Sequence, residues 1–157
     1  MLIEESVLIN ADIRKIWKTF TDLACWADWN TVASKAKSGS GRIEEGERLS
    51  FCLRPASVPI MIEAKIEEVV HREKVVWTGT RFGIFSRHEF LFQQVANGVL
   101  VTSSETFRGL PLLFGGLTFP ESTVRELTVG MLKDLKNAVE KEITRETPFH
   151  HGVTERA

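Results

Sequence analysis

Two side chains of this 157-residue chain, His88 and Glu105, have the chemistry and the spacing for proton transfer inside an apolar site. Along Ile84–Val95, alternation puts Ile84, Ser86, His88, Phe90 and Phe92 on one face, with Arg87, Glu89 and Gln93 on the other. Along Gly98–Arg108, Val101, Ser103, Glu105 and Phe107 share a face opposed by Thr102, Ser104 and Thr106. The phenylalanines mark the inner faces, so His88 and Glu105 are expected to look the same way, into an apolar interior. A carboxyl group in such surroundings has its pKa raised by desolvation, and a protonated imidazole beside it would oppose that rise. Such a pair could remove one proton and deliver another, as cyclisation or dehydration of a carbonyl compound requires. The plainer reading is a buried His–Glu hydrogen bond that ties two strands together, or a polar anchor for a bound molecule.

Other residues suit the wall of such a site. Trp26, Trp29 and Trp77 offer large contact area and an N–H handle, and Trp77 shares a strand face with Val75 and Gly79. Leu53, Ile62, Phe90, Phe107, Phe114 and Met131 complete the expected ligand-contacting set. Trp17 lies on a helical stripe and is assigned to the core. Phe82, Phe85 and Phe114 lie in or beside glycine-containing turns, and Gly83, Gly115 and Gly116 could let an entrance move. Metal ligation is disfavoured, because no His, Cys, Asp or Glu set has ligand spacing and His71 and His88 fall on different elements. No phosphate-loop, dinucleotide-binding or nucleophile-elbow motif occurs, and no cofactor is expected. Cys25, in a helical turn, and Cys52, in an apolar strand, are read as small buried hydrophobes in a reducing compartment.

These residues are positioned by a legible series of elements. Leu2–Ile9 reads as a strand, Asn10 as a helix N-cap, and Ile13, Ile16, Trp17 and Phe20 as one face of a helix. Asp22 can cap a second short turn through Trp26–Asn30. The period then becomes two, with strands expected over Val32–Lys37, Glu47–Arg54, Ile60–Glu67, Lys74–Thr80, Ile84–Val95 and Gly98–Arg108. Ser38–Arg42 reads as a turn and Asn97-Gly98 as a hairpin signal, since both residues tolerate positive φ. Short connections imply antiparallel neighbours. Thr118 and Glu121 form a candidate capping box with Pro120 in the first turn, opening a helix to about Arg145. Its apolar stripe is Val124, Leu127, Met131, Leu135 and Ala138, and a helix of that length needs a sheet to pack on. The expected class is α+β, with one domain over residues 1–146 and a disordered polar tail over 147–157 that holds His150 and His151.

Composition narrows the function. With 20 Lys+Arg against 21 Asp+Glu the net charge is −1, and no basic stripe of the kind a nucleic-acid binder needs is visible. The start MLIEESVLIN lacks a signal-peptide pattern, and no segment approaches the roughly 20 apolar residues of a membrane span. A cytoplasmic protein without membrane insertion, monomeric or a homodimer, is expected.

The segment VLINADIRKIWKTFTDLACWADWN resembles the polyketide cyclase/dehydrase and START-like lipid-binding superfamily at Ala11, Trp17, Asp22, Trp26 and Trp29-Asn30. RHEFLFQQVANGVLVTSSETFRG is similar to that superfamily's last hairpin at His88, Phe90, Phe92, Glu105, Phe107 and Gly109. The resemblance spans about residues 2–145. It implies a helix-grip fold, in which about seven curved antiparallel strands wrap a long C-terminal helix and two short helices follow the first strand. It also implies a space between sheet and helix for an apolar small molecule. Burying about 300 Å² of ligand at about 25 cal/mol per Å² is worth roughly 7 kcal/mol before ordering costs. Three functions follow from it: binding of a lipid-like, polyketide-like or aromatic ligand, a cyclase or dehydratase reaction through His88 and Glu105, or a protein-interaction module related to chaperone cofactors.

Overall fold

The computed structural model describes residues 1–53, 59–109 and 120–146, with side chains described as far as residue 141. Strand β1 (Leu2–Ile9) leads into α1 (Ile13–Thr21), a single 3-10 turn (Leu23–Cys25) and the short α2 (Trp26–Trp29). Six strands follow: β2 (Ala33–Lys37), β3 (Arg48–Leu53), β4 (Ile60–Val70), β5 (Lys74–Arg81), β6 (Ile84–Val95) and β7 (Gly98–Arg108). The final helix, α3, runs Glu121–Glu146 and is about 39 Å long at 1.5 Å per residue. The strands form one curved antiparallel sheet in the order β1-β7-β6-β5-β4-β3-β2. The α+β class, the seven strands and the two short helices after β1 are as the sequence predicts.

Side-chain chemistry sets the boundaries, and in three places it differs from expectation. The N-cap of α1 is Asp12, not Asn10: the Asp12 carboxylate accepts from the Arg14 backbone N–H at 2.7 Å. Asn10 instead donates its backbone N–H to Glu140 of α3 at 2.9 Å. Asp22 caps the 3-10 turn as predicted, accepting from the Ala24 N–H at 3.2 Å. The two-residue turn between β6 and β7 is Ala96-Asn97, since Val95 pairs with Gly98. Gly98 opens β7 with φ 140°, and a Cβ there would stand 2.2 Å from the Ile9 carbonyl oxygen, so close approach explains the glycine. The hairpin in which both loop residues have positive φ is Phe82-Gly83, between β5 and β6, at 50° and 76°. Third, Pro120 occupies the cap of α3 instead of its first turn, its carbonyl accepting from the Thr123 N–H at 3.0 Å. The capping box with Thr118 lies outside the described residues.

α3 crosses the concave face and is tied to the start of the chain. Lys136 donates to the Leu8 carbonyl at 2.7 Å, and Asp134 accepts from the Thr31 N–H and hydroxyl at 2.8 and 2.7 Å. Its buried line is Thr128, Leu132, Leu135 and Val139, shifted round the helix from the predicted stripe. Leu135 belongs to both, whereas Val124, Leu127, Met131 and Ala138 are half-buried at the flanks. Among the described residues no helix is long and apolar enough to cross a membrane.

Candidate functional site

The concave face is built in rows, because directly paired residues of adjacent strands project to the same side. One row reads Ile3, Glu105, His88, Trp77 and Ile66 across β1, β7, β6, β5 and β4. The adjacent row contains Glu5, Ser103, Phe90 and Val75. His88 and Glu105 therefore meet as a cross-strand pair on the inner face, with His88 Nδ1 3.8 Å from Glu105 Oε2. That gap is too long for a direct hydrogen bond, so the expected strand-tying His–Glu bond is not formed. The direct partner of His88 is Ser103, whose hydroxyl lies 2.7 Å from Nε2. The imidazole is also wedged between rings, stacked on Phe90 at 4.3 Å and edge-on to Trp77 at 5.2 Å.

Burial dominates the electrostatics. It pushes His88 down from 6.5 to about 3 and Glu105 up from 4.5 to about 7. The side chains keep only 12% and 17% of their surface exposed, so each loses most of the water that would solvate its charge. At neutral pH His88 is an uncharged imidazole, and Glu105 exchanges readily between acid and carboxylate. The expected opposition from a protonated His88 is absent, because the same burial that raises Glu105 removes the proton from the ring.

The other predicted contacts divide into two groups. Trp26, Trp77 and Phe90 are buried in the core. Trp26 gives its indole N–H to the Phe20 carbonyl at 2.8 Å, and Trp77 stacks on Phe20 at 6.4 Å. Trp17 is core as expected, edge-on to Phe92 at 5.2 Å. Leu53, Ile62, Trp29 and Met131 are half-buried against that core, and Phe107 is half-buried on β7. Phe114, Gly115 and Gly116 fall outside the described residues, while Gly83 simply completes the β5–β6 turn. Cys52 is buried but Cys25 is exposed, because Leu23 and Trp26 take the inward positions of that turn. Partial desolvation of its sulfur by the neighbouring turn, and then the Asp22 carboxylate, raise the pKa of Cys25, which keeps it a thiol and unsuited to nucleophilic attack. Among the described residues no cluster of three or more His, Cys, Asp or Glu could hold a metal.

Two participants, Glu5 and Ser103 as the partner of His88, escape the sequence pattern, as does the unpaired state of Trp29, which the sequence does place in the wall. Alternation puts Ser103 on the inner face, but its bond to His88 depends on strand register. Glu5, also inward, takes a hydrogen bond from Arg125 of α3, which bonds Glu121 at 2.9 Å as well. Trp29 Nε1 is buried with no hydrogen-bond partner among the described residues. No local pattern marks any of these, since each is created by docking of distant segments.

A curved antiparallel sheet gripping a C-terminal helix, with a polar pair set among rings on its concave face, defines the helix-grip class. Residues 2–140 match the family described as polyketide cyclase / dehydrase and lipid transport, and the chain belongs to that family. Solved structures of the same fold include a START superfamily protein from Mycobacterium smegmatis (14% identity, 93% of this chain and 99% of that one, TM-score 0.62). The Aha1 dimer from Colwellia psychrerythraea is similar at 18% identity, over 89% of this chain and 96% of that one, with TM-score 0.67. The di-domain ARO/CYC StfQ from the steffimycin biosynthetic pathway matches at 11% identity and TM-score 0.71, over 91% of this chain and 52% of that one. No curated protein matches the chain.

Proposed function

We propose that the protein binds a small, mainly apolar molecule bearing one polar oxygen, held on the concave face beside His88, Ser103 and Glu105. The observation that carries this reading is a gradient of burial along the inner face. Phe92, Phe90, Val101 and Ser103 are buried, whereas Ser86, Ile84, Glu105 and Phe107, further towards the β5–β6 turn, are only half-buried. The same change runs along β4, from Ala64 and Ile66 to Ile60 and Ile62. On α3, the buried Leu132, Leu135 and Val139 give way to half-buried Val124, Leu127 and Met131. Apolar side chains that the core does not fully cover, interrupted by a few polar groups, are what an apolar ligand needs. Titration with 2-naphthol, a flat apolar molecule with one hydroxyl, followed by calorimetry, tests the reading. Saturable binding weakened about tenfold by His88→Ala or Glu105→Gln is expected. Unchanged binding in both variants would remove them from the site, and absence of binding would leave only the fold.

A second reading, cyclisation or dehydration of a polyketide-like substrate, is favoured by one specific feature. A carboxyl group poised near pH 7 beside a neutral imidazole suits proton transfer. The depressed pKa makes His88 a poor base, so the roles divide unequally. The Glu105 carboxylate takes the proton from carbon, and His88, with Nδ1 protonated when Ser103 donates to Nε2, steadies the developing enolate oxygen. Turnover lost in Glu105→Gln with binding retained would establish this over simple carriage.

A further inference from the structure

A separate feature lies outside the concave face, where α1, the loop before β3 and the β4–β5 turn meet. They enclose a groove of about 440 Å³ with Trp17, Ile43 and Val69 among its lining residues. Four cationic side chains, Arg14, Lys18, Arg42 and Arg72, line it together with His71. In a chain whose net charge is −1, such a gathering is a strong local field. Arg14 is engaged by Asp12 at 2.9 Å, and Glu45 stands nearby, accepting from the Val69 N–H at 3.1 Å. Among the described residues, Lys18, Arg42 and Arg72 have no ion pair within 4 Å, and Asp12, which feels Arg72 as well as Arg14, is one carboxylate against four cations, which leaves a surplus of positive charge at the groove.

Arg72 supplies a second, independent observation. It sits in the left-handed region at φ 63°, a conformation that glycine or asparagine adopts with less strain. The turn nevertheless carries an arginine there, and its side chain lines the groove. Strain kept at a position whose side chain faces a charged recess points to a use for that side chain. His71 is held alongside it, edge-on to Trp17 at 5.6 Å. The groove is of small-molecule size.

We propose that this groove binds the phosphate groups of a small soluble molecule carrying two or more negative charges, a diphosphate being the simplest case. Arginine presents paired N–H donors that match phosphate oxygens, and Lys18 adds a point charge. The inference does not depend on the concave-face reading, since no residue is shared between them. Calorimetric titration of the intact protein with inorganic pyrophosphate and with ADP, at about 50 and about 200 mM salt, tests it. Both ligands are expected to saturate below millimolar concentration and to weaken as salt rises. Arg42→Ala and Arg72→Gly should each weaken binding about tenfold, while Arg87→Ala, on the convex face, leaves it unchanged. Arg72→Gly suits the backbone conformation, so its loss of binding cannot be ascribed to misfolding. No saturation by about 10 mM of either ligand, or full affinity in both groove variants, would overturn the assignment. Capture of phosphoinositide vesicles or of a single-stranded oligonucleotide, without response to pyrophosphate or ADP, would overturn it as well.

Discussion

The two ends of the concave face are made from the same strands yet built on different terms. At the α1 end, Phe20 gathers Phe90, Phe92, Trp26 and Trp77 at centroid distances of 4.8 to 6.4 Å, and all five side chains are buried. At the β5–β6 turn end, the inward positions are Ile62, Ser86, Glu105 and Phe107, none of them fully covered. The first end repays the entropy of folding through close ring packing. The second leaves apolar surface half-covered and sets two ionisable groups among rings, a cost to stability that the proposed binding function would account for. On β6 the boundary falls between Phe90 and His88, two residues apart, whereas on β5, β4 and β1 the row-mates of His88, namely Trp77, Ile66 and Ile3, are still buried.

Two phenylalanines on opposite sides of that boundary should separate the ends most sharply. Phe90→Ala removes a fully buried ring that touches Phe20, Trp77 and His88, and should cost about 3–5 kcal/mol. Phe107→Ala removes a ring already half in contact with water and should cost only about 1 kcal/mol. Urea unfolding of the two variants measures both. Equal losses would mean that the turn end is packed as tightly as the α1 end, and the division would disappear.

The next effect is a pH dependence peculiar to the boundary. Glu105 titrates near 7 in the fold and near 4.5 unfolded, so the folded state holds more protons between those values. Stability from this group is therefore fully present below about 4.5 and declines as pH rises to about 7, by about 3 kcal/mol. His88, near 3 in the fold and 6.5 unfolded, acts in the opposite sense. Its stability is fully present above 6.5 and is lost as pH falls towards 3. Where the windows overlap, between 4.5 and 6.5, the two slopes offset each other. Glu105→Gln should therefore uncover a slope in which stability rises with pH from 3 to 6.5, and should stabilise the protein above pH 7. Unfolding curves from pH 3 to 8 provide the measurement. A variant with the same profile as the parent would show that Glu105 keeps its water.

How far each end could be read from sequence follows from what determines it. The strands are local: Ile60, Ile62, Ala64 and Ile66 alternate with polar residues, and β4 lies where that pattern requires. The inward direction of His88 and Glu105 needs only the same period of two. Their separation, and the hydrogen bond from His88 to Ser103, need the register between β6 and β7, which no single strand encodes. The Glu5–Arg125 pair needs the docking of α3 across a sequence separation of 120 residues. On α3 itself, periodicity identifies an apolar side but not its centre. Thr128 is buried because its hydroxyl is satisfied by the Val124 carbonyl at 3.0 Å, a bond invisible to a hydropathy pattern. The basic groove draws Arg14, Arg42 and Arg72 from three separate segments, and a scan for a charged stripe passes over it.

The smallest expected effect sits at the tip of the turn end. Phe82 is 74% exposed, holds φ at 50°, and lies under the guanidinium of Arg81 at 5.0 Å from its ring centroid. A bulky residue in the left-handed region is strained, and an exposed ring regains little by burial. Phe82→Gly relieves the steric strain but gives the unfolded chain more freedom, so the net gain should be below about 1 kcal/mol. A slightly raised melting temperature would identify Phe82 as a residue retained at some cost to stability. If 2-naphthol binding also weakens, that cost supports the half-covered end. If stability falls instead, the Arg81–Phe82 contact stabilises the hairpin by more than the backbone loses, and the turn end is less strained than its dihedral angle implies.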